Sequence, residues 1–168
     1  MPIIEFSFIW ILTIDIAAWT LLHLGISTAL LSLPADRFTY DTAVTRIHHW
    51  EQEGEIWQQI FGIKHWKDRL PDGSSIFRKG FQKKRLSASS EMYLNQFIVE
   101  SRRAEWTHWL LIPPSLIFFL WNPIWAGWIM VIYALAVNIP FILIQRYNRP
   151  RLQRLADRIT DVKPKSSS

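Results

Sequence analysis

The run Glu100-Ser-Arg-Arg-Ala-Glu-Trp-Thr-His-Trp109 holds the densest group of polar side chains in the sequence. On a helix, Glu105 and His108 stand three residues apart and lie side by side. Ser101, four residues before Glu105, falls on the same side, and Glu100 and Arg103 form a second pair on a neighbouring face. A carboxylate beside an imidazole sets the ring's tautomer and stabilises its charged form, which is what a general base requires. His108 is therefore the candidate base and Glu105 the group that orients it. The competing reading is a structural cluster that pairs at a lipid boundary, where ionisable groups are costly. Ser101 is a poor nucleophile for His108, because seven residues of one helix span about 10 Å. Direct transfer with His108 as base, without a covalent intermediate on Ser101, is the expectation.

Other polar residues fall in apolar surroundings. Asp15 and His23 lie in the first apolar block, where a lone polar side chain also serves to join helices. By depth along their segments, His23, Glu105, His108, Asn138 and Arg146 would line one chamber. His48, His49 and His65 offer no third and fourth metal ligand, and His-Glu-x-x-His is absent, so no metal site is expected. The sequence lacks the His-x4-Asp acyltransferase pattern, a P-loop, Gly-x-Gly-x-x-Gly and Gly-x-Ser-x-Gly. Without cysteine there is no thiol nucleophile and no disulfide framework.

The elements that must hold these residues are set by charge. The chain has 168 residues and 10 tryptophans, and all 19 Lys and Arg lie in 37–103 or 146–168. An ordinary soluble surface of mixed charge is excluded. Residues 3–33 and 104–145 are apolar blocks, and a membrane-spanning helix needs about 20 such residues. A secretory signal would carry a basic start and a shorter apolar run, so 3–33 reads as a retained span. The second block breaks at Trp121-Asn122-Pro123, a turn signal. It reads as a helical hairpin, with Trp121, Trp125 and Trp128 at one interface. Pro113-Pro114 should kink its first half and Pro140 its second, and a shallow re-entrant hairpin is the alternative.

The fold expectation is thus an all-α membrane protein, residues 1–168 forming a single membrane domain. It has about three transmembrane helices, one N-terminal span plus a C-terminal helical hairpin. The segment 37–103 carries 12 basic and 8 acidic residues and the tail 146–168 carries 7 and 2. The positive-inside rule makes both cytoplasmic, with the N-terminus out and the C-terminus in. The net charge of +5 then answers to topology and anionic lipid; no nucleic-acid motif is present. Within 37–103, residues 41–63 read as an interfacial amphipathic helix. Ile47, Trp50, Trp57, Ile60 and Phe61 lie opposite Glu51, Glu53 and Glu55, and Gly54 interrupts the pattern. Residues 68–75 read as a loop. Arg78, Lys79, Lys83, Lys84 and Arg85 form a basic cluster for anionic headgroups or for a donor's phosphates. Ser89 or Ser90 should cap a helix from near Glu91 into the hairpin.

Gln145-Arg-Tyr-Asn-Arg-Pro-Arg-Leu152 resembles the ending of the glycosyl-4,4'-diaponeurosporenoate acyltransferase family, small bacterial membrane enzymes that complete staphyloxanthin-type carotenoids. Asn138-Ile-Pro140 extends the likeness upstream. Glu100-x-x-Arg103-Ala104-Glu105-x-x-His108-Trp109 resembles the family's central block, and Trp66-Lys67 with Asp72-Gly73 its loop. The likeness covers roughly 45–152. It implies a multi-pass enzyme of the bacterial cytoplasmic membrane that esterifies a fatty acid onto the glucose primary hydroxyl of a glycosylated carotenoid acid. Other glycolipid acceptors stay open. Acyl-CoA is the expected co-substrate, no cofactor is expected, and membrane lipid and other pathway enzymes are the expected company. His108 would take the hydroxyl proton and Glu105 would orient it. Arg103, Arg146 or Arg149 would stabilise the oxyanion or hold the donor's phosphate. Glu100, Asn138, Asn148, Lys67 and Asp72 complete the substrate-binding candidates. The rivals are a lipid-phosphate enzyme using the Arg-rich ending and a non-catalytic assembly factor.

Overall fold

A computed structural model describes residues 6–70 and 88–162, and every regular element among them is helical. The α-helices are α1 (Phe8–Ser32), α2 (Glu55–Phe61), α3 (Ile63–Trp66), α4 (Ala88–Leu110) and α5 (Ile124–Val162). Two of them, α1 and the Ile124–Thr160 stretch of α5, are long and apolar enough to cross a membrane. The chain divides into two compact units. The first comprises Met1–Pro34 and Arg103–Ile142, the second Ala35–Arg102 and Leu143–Ser168. These divisions follow the charge pattern within a few residues, since the first unit takes the stretches almost devoid of Lys and Arg.

In the apolar unit, α1 exposes Phe8, Ile9, Trp10, Ile16, Leu21 and Leu24. Thr13, Thr20, Thr28 and Ser32 donate their hydroxyls to carbonyls four residues back, so the helix keeps its polar groups satisfied without water. Asp15 is buried and accepts from the Trp121 indole at 2.7 Å and the Asn122 amide at 2.8 Å. It acts as the joint between α1 and the turn before α5. Trp19 stacks on Phe118 at 4.8 Å and meets Tyr133 edge-on at 5.3 Å.

Residues 104–121 do not form the single helix expected of a hairpin arm. Helix α4 stops at Leu110, and Pro113-Pro114 opens a 3-10 stretch, Pro113–Leu120. Consecutive prolines remove two backbone donors and clash with the preceding turn, so the break is sharper than a kink. Pro140 and Pro150, by contrast, lie inside the uninterrupted helix α5.

In the charged unit, Ile63, Leu143, Ile144 and Tyr147 form a core with Trp57, Trp66 and Leu70 against it. Leu94, Ile98 and Ala156 form a second with Leu152 and Ile159. Helix α4 begins at Ala88, slightly before the expected Ser89 or Ser90 cap, and continues through the central polar run as expected. The basic cluster at 78–85 and Asp72 lie outside the described residues.

The expected amphipathic helix over 41–63 is broken. His49–Gly54 is a 3-10 turn, Gln52 and Glu53 take φ of 48° and 54°, and only Glu55–Phe61 is α-helical. Glu51, assigned to the polar face, is instead fully buried. The cause lies in α5. Pro150 has no N–H, so the Arg146 carbonyl lacks its helical partner, and Gly54 at φ +83° lies against that oxygen. A Cβ at Gly54 would stand 2.5 Å from the Arg146 carbonyl oxygen. Gly54→Ala is therefore expected to destabilise the charged unit by about 1–3 kcal/mol, read as a lowered midpoint in thermal melts of purified protein.

Candidate active site

The sequence-selected residues assemble into two groups, each inside one unit. The first is in the apolar unit. His108 Nδ1 lies 2.9 Å from Asn138 Oδ1. Asn138 is almost fully buried, and its amide nitrogen donates to the Ala134 carbonyl at 2.8 Å. That second bond orients the amide: its nitrogen is committed to Ala134, so its oxygen faces the imidazole. An amide oxygen only accepts, which requires His108 Nδ1 to carry the hydrogen and leaves Nε2 with its lone pair. Phe141 holds the ring flat, stacked at 4.6 Å and 6°.

The sequence expectation had Glu105 in this orienting role. Glu105 is fully buried and accepts the Trp109 indole N–H at 3.3 Å. The hydrogen bond that fixes the His108 tautomer comes from Asn138, thirty residues away on α5. Arg103 donates to the Leu33 carbonyl at 3.2 Å, so it ties α4 to the end of α1. His23 packs against Trp19 with ring centroids 5.7 Å apart.

The second group is in the charged unit. Arg146 grips both oxygens of Glu51, Nε to Oε2 at 2.8 Å and Nη2 to Oε1. It also donates to the Val44 and Arg46 carbonyls, each at 2.9 Å. Glu51 further accepts from the Trp57 indole at 2.8 Å and from the His48 backbone N–H at 2.9 Å. Burial alone would raise the Glu51 carboxyl, but the Arg146 hydrogen bond, those two further donors and the Arg146 charge together hold it below the usual carboxylate range. With these donors turned on protein oxygens, Arg146 braces the 44–51 segment. Arg149, fully buried, donates to the Thr45 carbonyl at 2.8 Å. Lys67 reaches Asn148 Oδ1 at 3.4 Å and lies over the Tyr147 ring. Glu100 is half-buried in the same unit.

Sequence reasoning passed over two residues that organise this unit. Glu51 was placed on a solvated face, and Arg102 was assigned no partner. Arg102 is buried, bonded to Asp41 at 2.6 Å and to the Phe38 and Thr39 carbonyls at 3.4 and 3.0 Å. A signal for Glu51 did exist. Arg146 and Arg149 follow directly on an apolar helix, and a guanidinium buried there needs a carboxylate from elsewhere in the chain.

The family model described as glycosyl-4,4'-diaponeurosporenoate acyltransferase matches residues 36–158. The chain belongs to that family. A Staphylococcus haemolyticus glycosyl-4,4'-diaponeurosporenoate acyltransferase is 34% identical over 137 residues, 82% of this chain and 80% of that protein. Its Staphylococcus aureus counterpart is 31% identical over 137 residues, 82% of each chain. No solved structure matches. Family membership makes this chain an acyltransferase and confirms the sequence resemblance, which the match extends slightly at both ends. It selects the enzyme over the lipid-phosphate and assembly-factor alternatives. Both polar groups, at 105–108 with 138 and at 51 with 146–149, fall inside the matched region.

Proposed function

We propose that this enzyme esterifies a fatty acyl group onto the sugar hydroxyl of a glycosylated carotenoid acid, by direct transfer with His108 as general base. The observation that carries the reading is the Asn138–His108 hydrogen bond. It presents Nε2 as a lone pair on a ring held by stacking. In the reaction, Nε2 takes the proton of the sugar's primary hydroxyl as its oxygen attacks the thioester carbonyl of acyl-CoA. The C–O bond forms and the C–S bond breaks. The departing thiolate recovers the proton from His108, giving ester and free coenzyme A. Glu105 and Trp109 support the helix turn that carries the base. Arg103 is the candidate for the carbonyl oxyanion, Lys67 for the thioester's phosphates, and Glu100, Asn148 and Asp72 for other polar groups of the substrates.

The same proposal places the enzyme in the bacterial cytoplasmic membrane, N-terminus out and C-terminus in, with both basic segments on the inner face. Helices α1 and α5 supply two crossings. For the charged segments to share a side, 104–123 must supply the third. The end of α4 contributes about 1.5 Å per residue and the 3-10 stretch about 2 Å per residue, together close to the roughly 30 Å hydrocarbon thickness. The 3-10 stretch pairs its backbone internally through i→i+3 bonds, with Ser115 and Phe118 buried and Leu116, Ile117 and Leu120 exposed as apolar surface.

The test is ester formation by membranes carrying the protein, supplied with labelled acyl-CoA and a glucosylated carotenoid acid. A labelled ester that depends on both substrates is expected. Ester from acyl carrier protein or lipid but not from acyl-CoA would overturn the donor assignment, and ester only on another glycolipid would overturn the acceptor.

A further inference from the structure

The apolar unit holds a second histidine, His23, that the proposed reaction leaves idle. Two sets of contacts fix the register of α1 against α5. Asp15 meets Trp121 and Asn122, just before α5 begins. One turn later, the Trp19 indole donates to Met130 Sδ at 3.4 Å and its ring meets Tyr133 edge-on. Both contacts advance together in sequence, so the two helices run parallel. Each helix rises about 1.5 Å per residue. One further turn along both brings His23 level with Ala134 and Val137, next to Asn138, the residue that holds His108. The two imidazoles are close enough for a charge on one to act on the other. The whole arrangement lies inside the apolar unit.

His23 differs from His108 in what holds it. Its ring packs on Trp19, and neither ring nitrogen has a hydrogen-bond partner among the described residues. A half-buried polar ring in an apolar helix is costly unless it is used. The reaction has a use for it. As the sugar oxygen bonds to the thioester carbon, the C=O π electrons move onto oxygen and an oxyanion forms. Donors aimed in advance at that oxygen lower the barrier, and Arg103 is one candidate. We propose that His23 donates an N–H to the same oxyanion and so is a second catalytic histidine of the acyl transfer. It donates as a neutral ring. An imidazolium beside His108 would repel the proton that His108 must take up, whereas a neutral ring keeps one N–H to donate. No proton leaves His23. When the intermediate collapses, C=O re-forms, the C–S bond breaks and the thiolate takes its proton from His108. The donor role rests on the acyl-transfer reading; the closeness of the two rings does not.

The chain has no cysteine, so the placement can be tested without turnover. Dibromobimane fluoresces when it bridges two nearby thiols. It should label His23→Cys/His108→Cys strongly in membranes. Either single variant should stay dark, and so should Ile16→Cys/His108→Cys, which moves the first thiol two turns along α1. An unbridged His23→Cys/His108→Cys pair overturns the proposal. In the ester assay, His23→Phe keeps a ring against Trp19 and removes the donor. Its kcat should fall about 10²-fold with both KM values nearly unchanged. His23→Gln restores an N–H and should be at least about tenfold faster than His23→Phe. A His23→Phe enzyme as fast as wild type, a His23→Gln enzyme no faster than His23→Phe, or a loss confined to KM overturns the donor role. Bridged thiols in a protein whose wild type forms no ester keep the two histidines together and discard the acyl-transfer reading, and the donor role with it.

Discussion

His108→Ala is expected to slow ester formation by about 10²–10⁴-fold at matched expression, the usual contribution of a positioned general base. That corresponds to about 3–5 kcal/mol of transition-state stabilisation. The expectation follows from the hydrogen bonds around the ring. Asn138 anchors its amide nitrogen to Ala134 and turns its oxygen to Nδ1, so the ring enters the reaction with Nε2 unprotonated. Asn138→Ala leaves the base in place but removes this constraint, and it should cost less than His108→Ala. Asn138→Asp keeps an acceptor at Nδ1 and should recover part of that loss. Rates for the three variants, each measured with acyl-CoA saturating, separate an orienting role from simple packing.

The largest stability effect is expected at Glu51. Glu51→Gln leaves the Arg146 guanidinium buried without its carboxylate, and breaking one side of a buried ion pair costs about 3–5 kcal/mol. The sign of the pH dependence follows from the lowered Glu51 carboxyl. Its contribution is complete above the unfolded value near 4.5 and is lost as pH falls through the lower folded value. Wild-type thermal midpoints should hold between neutral pH and about pH 5 and fall steeply below about pH 4, while Glu51→Gln should start lower and respond less to acid. A wild-type midpoint that is flat through this acid range would show that the pair does not stabilise the charged unit.

Much of this was legible in the residues. The gap in Lys and Arg across 104–145 marks the apolar unit, and the central polar run does lie on one helix, α4. Three features were not legible, each for a physical reason. Helical spacing joins Glu105 to His108, but it cannot see a partner on another helix, and Asn138 reaches His108 from α5. The pattern of Trp50, Trp57, Ile60 and Phe61 has helical period, but periodicity cannot register that a buried arginine draws Glu51 inward and unwinds the turn beside it. Pro113-Pro114 and Pro150 carry the same chemical defect with different outcomes. The pair ends a helix, while Pro150 lies inside α5, with Gly54 close against the Arg146 carbonyl.

The central claim is that His108 accepts the sugar's proton, and chemical rescue tests it most directly. Ester formation by His108→Ala membranes is measured with and without added imidazole. The account predicts that imidazole raises the rate of the variant in proportion to its unprotonated form and leaves wild type unchanged. A His108→Ala enzyme as fast as wild type, or one that is correctly inserted, inactive and indifferent to imidazole, would contradict it.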